Sequence, residues 1–307
     1  MIIQPRITGL VAAPFTPFDR DGRVNPDAIE AQARSLLRND VRGAFICGTT
    51  GEGMSLTTAE RMLVAERWRK VADRTLRIMV HVGHNAIDDS RALAAHAQQI
   101  GADAIGCMAP FFFKPARVEE LVDFCAQIAA AAPQLPFYYY HIPSMTGVQI
   151  PAVDFLKLAA GRIPNLAGIK FTSENLVDYA ECLRFNNGQF EILFGRDELL
   201  LPSLAVGARG AIGSTYNFAA PIYIRVMNAF EQGALAEAQA EQARANEMIA
   251  ALIRFGGLPA MKAMMKLIGV DCGAPRLPLR GLTPAKETEL RQALEQIRFF
   301  DFCSRAD

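Results

Sequence analysis

The sequence lacks the features that would place it in several large classes of protein. It carries no net charge at pH 7, because 32 lysines and arginines are matched by 32 aspartates and glutamates. There is therefore no electrostatic case for nucleic acid or an anionic membrane as its main partner. No run approaches the roughly 18 apolar residues that cross a bilayer. Residues 1–5 reach a proline at once and lack the basic-then-apolar pattern of a signal sequence.

Patterns of metal or disulfide ligands are also missing. The six cysteines are scattered, mostly among apolar neighbours, and form no CxxC pair. They are typical of reduced, mainly buried thiols, so we expect a cytoplasmic protein. His81 and His84 lie on and just after one apolar run, but a metal would need more ligands than these two. We therefore expect structural histidines and no metal site.

Short apolar runs alternate with helical patterns along most of the chain. With 51% hydrophobic residues over 307 positions, the chain can bury a full core. Thr57 and Glu60 form a capping box before the second helical pattern. Buried strands that alternate with helices imply a parallel sheet covered on both faces, and eight such units favour a (β/α)8 barrel over an open sheet. The eight apolar runs are residues 9–15, 43–48, 77–83, 102–109, 136–142, 166–171, 190–195 and 210–214.

The residues after the eighth run are too many for one closing helix. Residues 235–255, 259–268 and 283–299 each have a helical pattern. We predict a barrel catalytic domain over residues 1–225 and a C-terminal helical extension packed on it over residues 226–307.

Lys170 is a lone cation in the apolar run 166–171. An ammonium on a buried strand must reach water, pair with an anion or lose its proton. A desolvated lysine can act as a free amine that attacks a carbonyl and forms a Schiff base. The alternative is a lysine whose tip reaches solvent at the strand end. Tyr140, near the end of the preceding run, could pass protons beside the amine, and this pair favours aldolase chemistry.

The other polar candidates also follow predicted strands, where a barrel of this kind has its active site. The second run leads into the glycine-rich residues 48–53, in which the hydroxyls of Thr49 and Thr50 and nearby amides could hold a carboxylate. An ordinary tight turn before a helix would have the same composition. Asp197 and Glu198 follow the seventh run, where they could bind a polyol or simply begin a helix.

Taken together, these motifs resemble the pyruvate-dependent class I aldolases of the dihydrodipicolinate synthase and N-acetylneuraminate lyase superfamily, over almost the whole chain. Residues 48–53 look like the carboxylate-binding loop of that family. Tyr140 falls on its proton-relaying tyrosine and Lys170 on its Schiff-base lysine. The resemblance implies chemistry through an imine at Lys170, with no metal, nucleotide or organic cofactor, in a homotetramer.

Within that superfamily the chain is most similar to the animal-type sialic acid lyases. The synthase branch has an arginine for a dicarboxylic substrate where this chain has Met145, and many relatives have a tyrosine shared between subunits where it has Phe112. Residues 109–115, 138–143, 194–198 and 213–217 look like the lyase branch. The resemblance implies cleavage of N-acetylneuraminate to N-acetylmannosamine and pyruvate. It also implies a carboxylate site at Thr49 and Thr50, and further substrate contacts at Thr172, Gly195, Asp197, Glu198 and Ser214.

Other functions stay open on the sequence alone. A sister aldolase or hydratase for another 2-oxo acid would share Lys170 and Tyr140 and differ at Asp197, Glu198 and Ser214. A barrel that binds pyruvate or a sugar acid without turnover belongs to a different class. Such a sensor would not need both the lysine and the tyrosine.

Overall fold

Eight parallel strands form a closed barrel in the computed structural model, which describes residues 6–72 and 75–306. The strands pair in chain order, and the last pairs back with the first. The predicted (β/α)8 fold is confirmed, and each predicted run contains its strand. The signal-sequence prediction concerned residues 1–5, which lie outside the described residues. The strands are β1 (Gly9–Ala12), β2 (Gly43–Ile46), β3 (Arg77–His81), β4 (Ala104–Met108), β5 (Phe137–His141), β6 (Leu166–Phe171), β7 (Glu191–Phe194) and β8 (Gly210–Gly213).

Helices fill the intervals between strands, and one more helix follows β8. The capping box predicted before the second helix is present, since Thr57 Oγ1 accepts from the Glu60 N–H at 3.2 Å and the Glu60 carboxylate accepts from the Thr57 N–H at 2.9 Å. The helices of the barrel are α1 (Ala28–Arg38), α2 (Thr58–Val71), α3 (Ile87–Gln99), α4 (Val118–Ala130), α5 (Pro143–Thr146), α6 (Ala152–Ala159), α7 (Leu176–Arg184), α8 (Leu200–Val206) and α9 (Tyr216–Glu231).

The period of two along each strand decides which side chains enter the barrel. On β5, Tyr138 and Tyr140 belong to the inner apolar cluster, whereas Phe137 and Tyr139 pack in the larger cluster that includes the surrounding helices. Tyr140 is the register partner of Lys170 on β6. The alternation therefore brings the two predicted catalytic side chains into the barrel interior side by side.

Three further helices follow the barrel: α10 (Leu235–Arg254), α11 (Leu258–Leu267) and α12 (Pro284–Gln296). Helix α10 packs against α9, α11 and α12. The predicted boundary between residues 225 and 226 falls inside α9, the helix that follows β8. Among the described residues no single helix is long and apolar enough to cross a membrane. Helices α10 and α11 reach that length and apolar character only when taken together, and the chain bends by 116° between them.

Candidate active site

The amine of Lys170 is enclosed by aromatic rings. The residue is only 4% exposed, so its tip does not reach solvent as the alternative required. Nζ lies 3.8 Å from the ring centroid of Tyr140 and 4.3 Å from that of Phe45. Within the described residues no carboxylate forms an ion pair with this amine. Aromatic faces attract a cation weakly compared with a carboxylate. The amine is therefore held by ring faces, with no ion pair in the described part of the chain.

Tyr140 contacts the amine with its ring and the loop after β2 with its hydroxyl. Its oxygen lies 3.2 Å from Oγ1 of Thr49. The ring itself is fixed by edge contacts with Phe45 and His81, whose centroids lie 5.4 and 5.7 Å away. A general acid or base must lie within hydrogen-bonding reach of the group it serves. A ligand bound next to both Lys170 and Thr49 would lie beside the Tyr140 hydroxyl.

A second pair of hydroxyls joins the loop after β2 to the residue that follows β8. Thr50 Oγ1 lies 2.6 Å from Ser214 Oγ, and so the loop after β2 meets the end of β8. Thr49 is exposed at the mouth, while Thr50 is buried. Hydroxyls can donate to a carboxylate without adding a charge next to Lys170. The loop thus offers a carboxylate site on one side of the amine.

Asp197 is the buried acid of the site. It begins the short turn Asp197–Leu199, and its Oδ2 accepts from the Thr215 N–H at 2.9 Å and from Thr215 Oγ1 at 2.7 Å. A Cβ at Gly213 would lie 1.8 Å from Oδ1, so only glycine lets β8 pass this carboxylate. Burial raises the pKa of Asp197, and the hydrogen bonds from Thr215 oppose that rise. The acid does start a helical turn, but its side chain is bound to the end of β8.

The remaining predicted residues lie around Asp197. Glu198 is partly exposed and lies 3.2 Å from Arg196, and the Gly195 N–H donates to Phe171 O at 2.7 Å. Oγ1 of Thr172 and Oδ1 of Asp197 are buried with no hydrogen-bond partner in the described part of the chain. A buried polar atom without a partner is unfavourable. Thr172 and Asp197 therefore hold unsatisfied polar atoms at this end of the barrel.

Comparison with known proteins identifies the family. Residues 6–297 match the dihydrodipicolinate synthetase family. The chain belongs to this family. It is 42% identical over 304 residues to N-acetylneuraminate lyase of Rattus norvegicus, covering 97% of this chain and 95% of that protein. The Homo sapiens lyase is 41% identical over 307 residues, with 97% and 96% covered.

Solved structures agree with the sequence comparison. The Proteus mirabilis N-acetylneuraminate lyase superposes with a TM-score of 0.94 at 40% identity, covering 96% of this chain and 100% of that one. The Aliivibrio salmonicida sialic acid aldolase gives a TM-score of 0.94 at 42% identity, with 96% and 98% covered. The fold of this family member is thus shared over nearly its whole length.

Sequence reasoning missed two residues of this family member's site and assigned a third only a general structural role. Phe45 lies beside the amine, Thr215 binds Asp197, and His81 contacts the ring of Tyr140. Nδ1 of His81 lies 3.1 Å from Cys47 O, and burial, followed by the nearby Arg61 and Lys170 charges, holds its pKa well below the usual value. Alternation along β2 could have placed Phe45 inside the barrel, and Thr215 is the next residue after Ser214. Nothing in the sequence singled out their contacts.

Proposed function

We propose that the chain is an N-acetylneuraminate lyase, which cleaves the open-chain sugar acid to N-acetylmannosamine and pyruvate. The observation that carries the proposal is the buried amine of Lys170, which is enclosed by the rings of Tyr140 and Phe45. The same end of the barrel carries the hydroxyls of Thr49 and Thr50 and the buried acid Asp197. The relatives named N-acetylneuraminate lyase, at about 42% identity over nearly the full length, support the same reaction. A carbon–carbon lyase of the class I aldolase type follows from both.

The proposed reaction begins at the C2 ketone. The free amine of Lys170 attacks C2, and loss of water gives a cationic imine. This imine accepts the electron pair released when the C3–C4 bond breaks, leaving an enamine of pyruvate. Tyr140 donates its proton to the hydroxide that leaves C2, and the resulting phenolate takes the proton of the C4 hydroxyl as that carbon becomes the aldehyde of N-acetylmannosamine. The same transfers run in reverse in the condensation direction. Protonation and hydrolysis of the enamine then release pyruvate and the free lysine.

The rest of the site divides between the two ends of the substrate. Thr49 and Thr50 are proposed to bind the carboxylate, because their hydroxyls lie at the loop that reaches Tyr140 and Ser214. The sugar tail would lie on the other side of the amine, near the unpartnered oxygens of Thr172 and Asp197. The groups proposed to contact the substrate there are Thr172, Gly195, Asp197, Glu198 and Ser214.

No metal, nucleotide or organic cofactor belongs to this proposal, because the imine itself is the electron sink. We propose a homotetramer, supported by Phe112 and Phe113, which are 74% and 84% exposed and form an edge-to-face pair after β4. Contiguous apolar surface of this kind can mark a site that another subunit covers. A cytoplasmic location fits six cysteines that form no disulfide. Neither nucleic acid nor a membrane is proposed as a partner.

An assay of pyruvate release decides among the candidate functions. The enzyme is incubated with N-acetylneuraminate and with a panel of other 2-oxo sugar acids, including a deoxygluconate-type substrate. We expect the highest kcat/KM for N-acetylneuraminate. Faster release from another acid would assign a sister aldolase or hydratase, and no release from any acid would indicate a barrel that only binds.

A further inference from the structure

A buried ion pair joins the C-terminal extension to the loop after β2. Nζ of Lys262, on α11, lies 2.8 Å from Oε1 of Glu52, and the two side chains are 1% and 3% exposed. Removing two charges from water is costly, and their attraction often only balances that cost. Stability alone is thus a weak reason for such a pair.

Lys262 is bound on several sides. Its amine donates to Thr16 O at 3.0 Å and to Ala274 O at 3.3 Å, and lies 4.2 Å from the ring centroid of Phe18. Thr16 in turn donates from Oγ1 to Gly51 O at 2.6 Å, in the same loop as Glu52. Lys262 therefore holds this loop through Glu52 and through Thr16.

The loop needs such support, because its conformation is unusual. Glu52 has a φ of 53°, in the left-handed region that residues other than glycine seldom adopt. A Cβ at Gly53 would lie 1.9 Å from Cys47 O, which shows how tightly the turn closes. Oε2 of Glu52 accepts the backbone N–H of Arg276 at 2.8 Å. One carboxylate oxygen of Glu52 thus pairs with Lys262 and the other accepts a hydrogen bond from Arg276, and both partners belong to the extension.

The same turn carries the hydroxyls at the mouth of the barrel. Thr49 lies 3.2 Å from Tyr140, and Thr50 lies 2.6 Å from Ser214. Thr49, Thr50 and Glu52 lie within four consecutive residues, and the Glu52 N–H donates to Thr49 O at 3.1 Å. The position of Glu52 is therefore linked to that of the hydroxyls.

We infer that the C-terminal extension, through the pair of Lys262 with Glu52, positions Thr49 and Thr50 to bind the carboxylate of a 2-oxo acid. The inference rests on the proposed function of that loop. Lys262 is then a positioning residue that touches no substrate. Its loss should weaken binding of pyruvate and leave the chemistry at Lys170 intact.

The test measures how imine formation depends on pyruvate concentration. The adduct at Lys170 is trapped with borohydride, and the half-saturating pyruvate concentration is compared among variants. Lys262→Met removes the charge with little change in length, and Lys266→Met is the matched control, because Lys266 lies on the same helix in an exposed pair with Glu287. We expect Lys262→Met to raise the half-saturating concentration by about tenfold, the scale of one lost hydrogen bond to a charged group. The maximal adduct should be unchanged, and Lys266→Met should stay within about twofold of wild type.

A second variant keeps the test independent of folding. Lys262→Met leaves the Glu52 carboxylate buried without its cation, which is strongly destabilising. The double variant Glu52→Gln/Lys262→Met removes both charges, and its folding is followed by thermal unfolding. We expect the same rise in half-saturating pyruvate for this folded protein. The inference would be overturned by a folded double variant with the same half-saturating pyruvate concentration as wild type, whatever its Tm. Absence of any adduct in the wild-type protein would instead refute the proposed function.

Discussion

Thr215 should control how well the site accepts a sugar tail, although it was not among the residues expected to bind substrate. Its hydroxyl donates to Asp197 at 2.7 Å and lies 2.8 Å from the hydroxyl of Tyr223. Thr215→Val replaces this hydroxyl with a methyl group of similar size and leaves the backbone N–H donor at 2.9 Å in place. The substitution thus removes one of two hydrogen bonds that fix the Asp197 carboxylate.

The expected loss follows from the charge of the acceptor. A hydrogen bond to an ionised group contributes about 1.5–3 kcal/mol, and 1.4 kcal/mol is a factor of ten. Burial already raises the pKa of Asp197, and the Thr215 hydroxyl is the largest effect that opposes it. In the variant the pKa of Asp197 should therefore rise further. We expect kcat/KM for N-acetylneuraminate to fall by roughly 10- to 100-fold, with the acid limb of its pH profile moved to higher pH.

Two measurements separate this effect from general damage. Pyruvate trapping at Lys170 involves no sugar tail and should stay close to wild type. Thr288→Val makes the same substitution at an exposed position on α12 and should change neither measurement. Tyr223→Phe leaves the hydrogen bond of Thr215 to Asp197 in place, and we expect a smaller loss than in Thr215→Val. The assigned role of Asp197 in binding the sugar tail is wrong if kcat/KM of Thr215→Val stays within about twofold of wild type. It is also wrong if the variant loses pyruvate trapping and cleavage equally.

Three further changes test other parts of the site. Tyr140→Phe should lower kcat by about 10²–10⁴, the usual contribution of general acid–base catalysis, while a mutant with nearly wild-type kcat would exclude Tyr140 as the proton carrier. Glu198→Gln should lower kcat/KM for N-acetylneuraminate by roughly tenfold or more and leave pyruvate trapping almost unchanged. Equal losses of cleavage and of trapping would favour an acid that only begins the turn. Burial lowers the pKa of His141 from 6.5 to about 4. The unfolded chain therefore takes up a proton first, and stability should fall by up to about 3 kcal/mol as pH drops from 6.5 to 4. His141→Leu should remove that part of the pH dependence in urea unfolding; an unchanged slope would show that His141 is not its source.

Local pattern was sufficient to predict much of the fold and the centre of the site. The alternation of apolar runs and helical patterns predicted the barrel, because each β/α unit is a local feature. Lys170 and Tyr140 could be found because a cation and a phenol near the ends of apolar strands are unusual. Strand ends share one edge of a parallel barrel, so the remaining candidates were expected to lie near them.

Contacts between distant parts of the chain could not be predicted in this way. Lys262 and Lys266 lie one helical turn apart on α11, yet the first has a buried side chain and the second is exposed to water. Only the packing of the extension against the loop after β2 distinguishes them. The pairing of Thr50 with Ser214 likewise depends on barrel closure, which brings β8 back to β1.

The most direct test of the proposed chemistry is to identify the lysine that forms the imine. The protein is incubated with pyruvate and borohydride, digested, and mapped by mass spectrometry, with Lys170→Ala as the control and circular dichroism to confirm its fold. We expect a reduced three-carbon adduct on Lys170 alone, no adduct and no turnover in the folded Lys170→Ala protein, and no effect of a metal chelator. An adduct on another lysine, or turnover that requires a divalent ion, would contradict the Schiff-base mechanism.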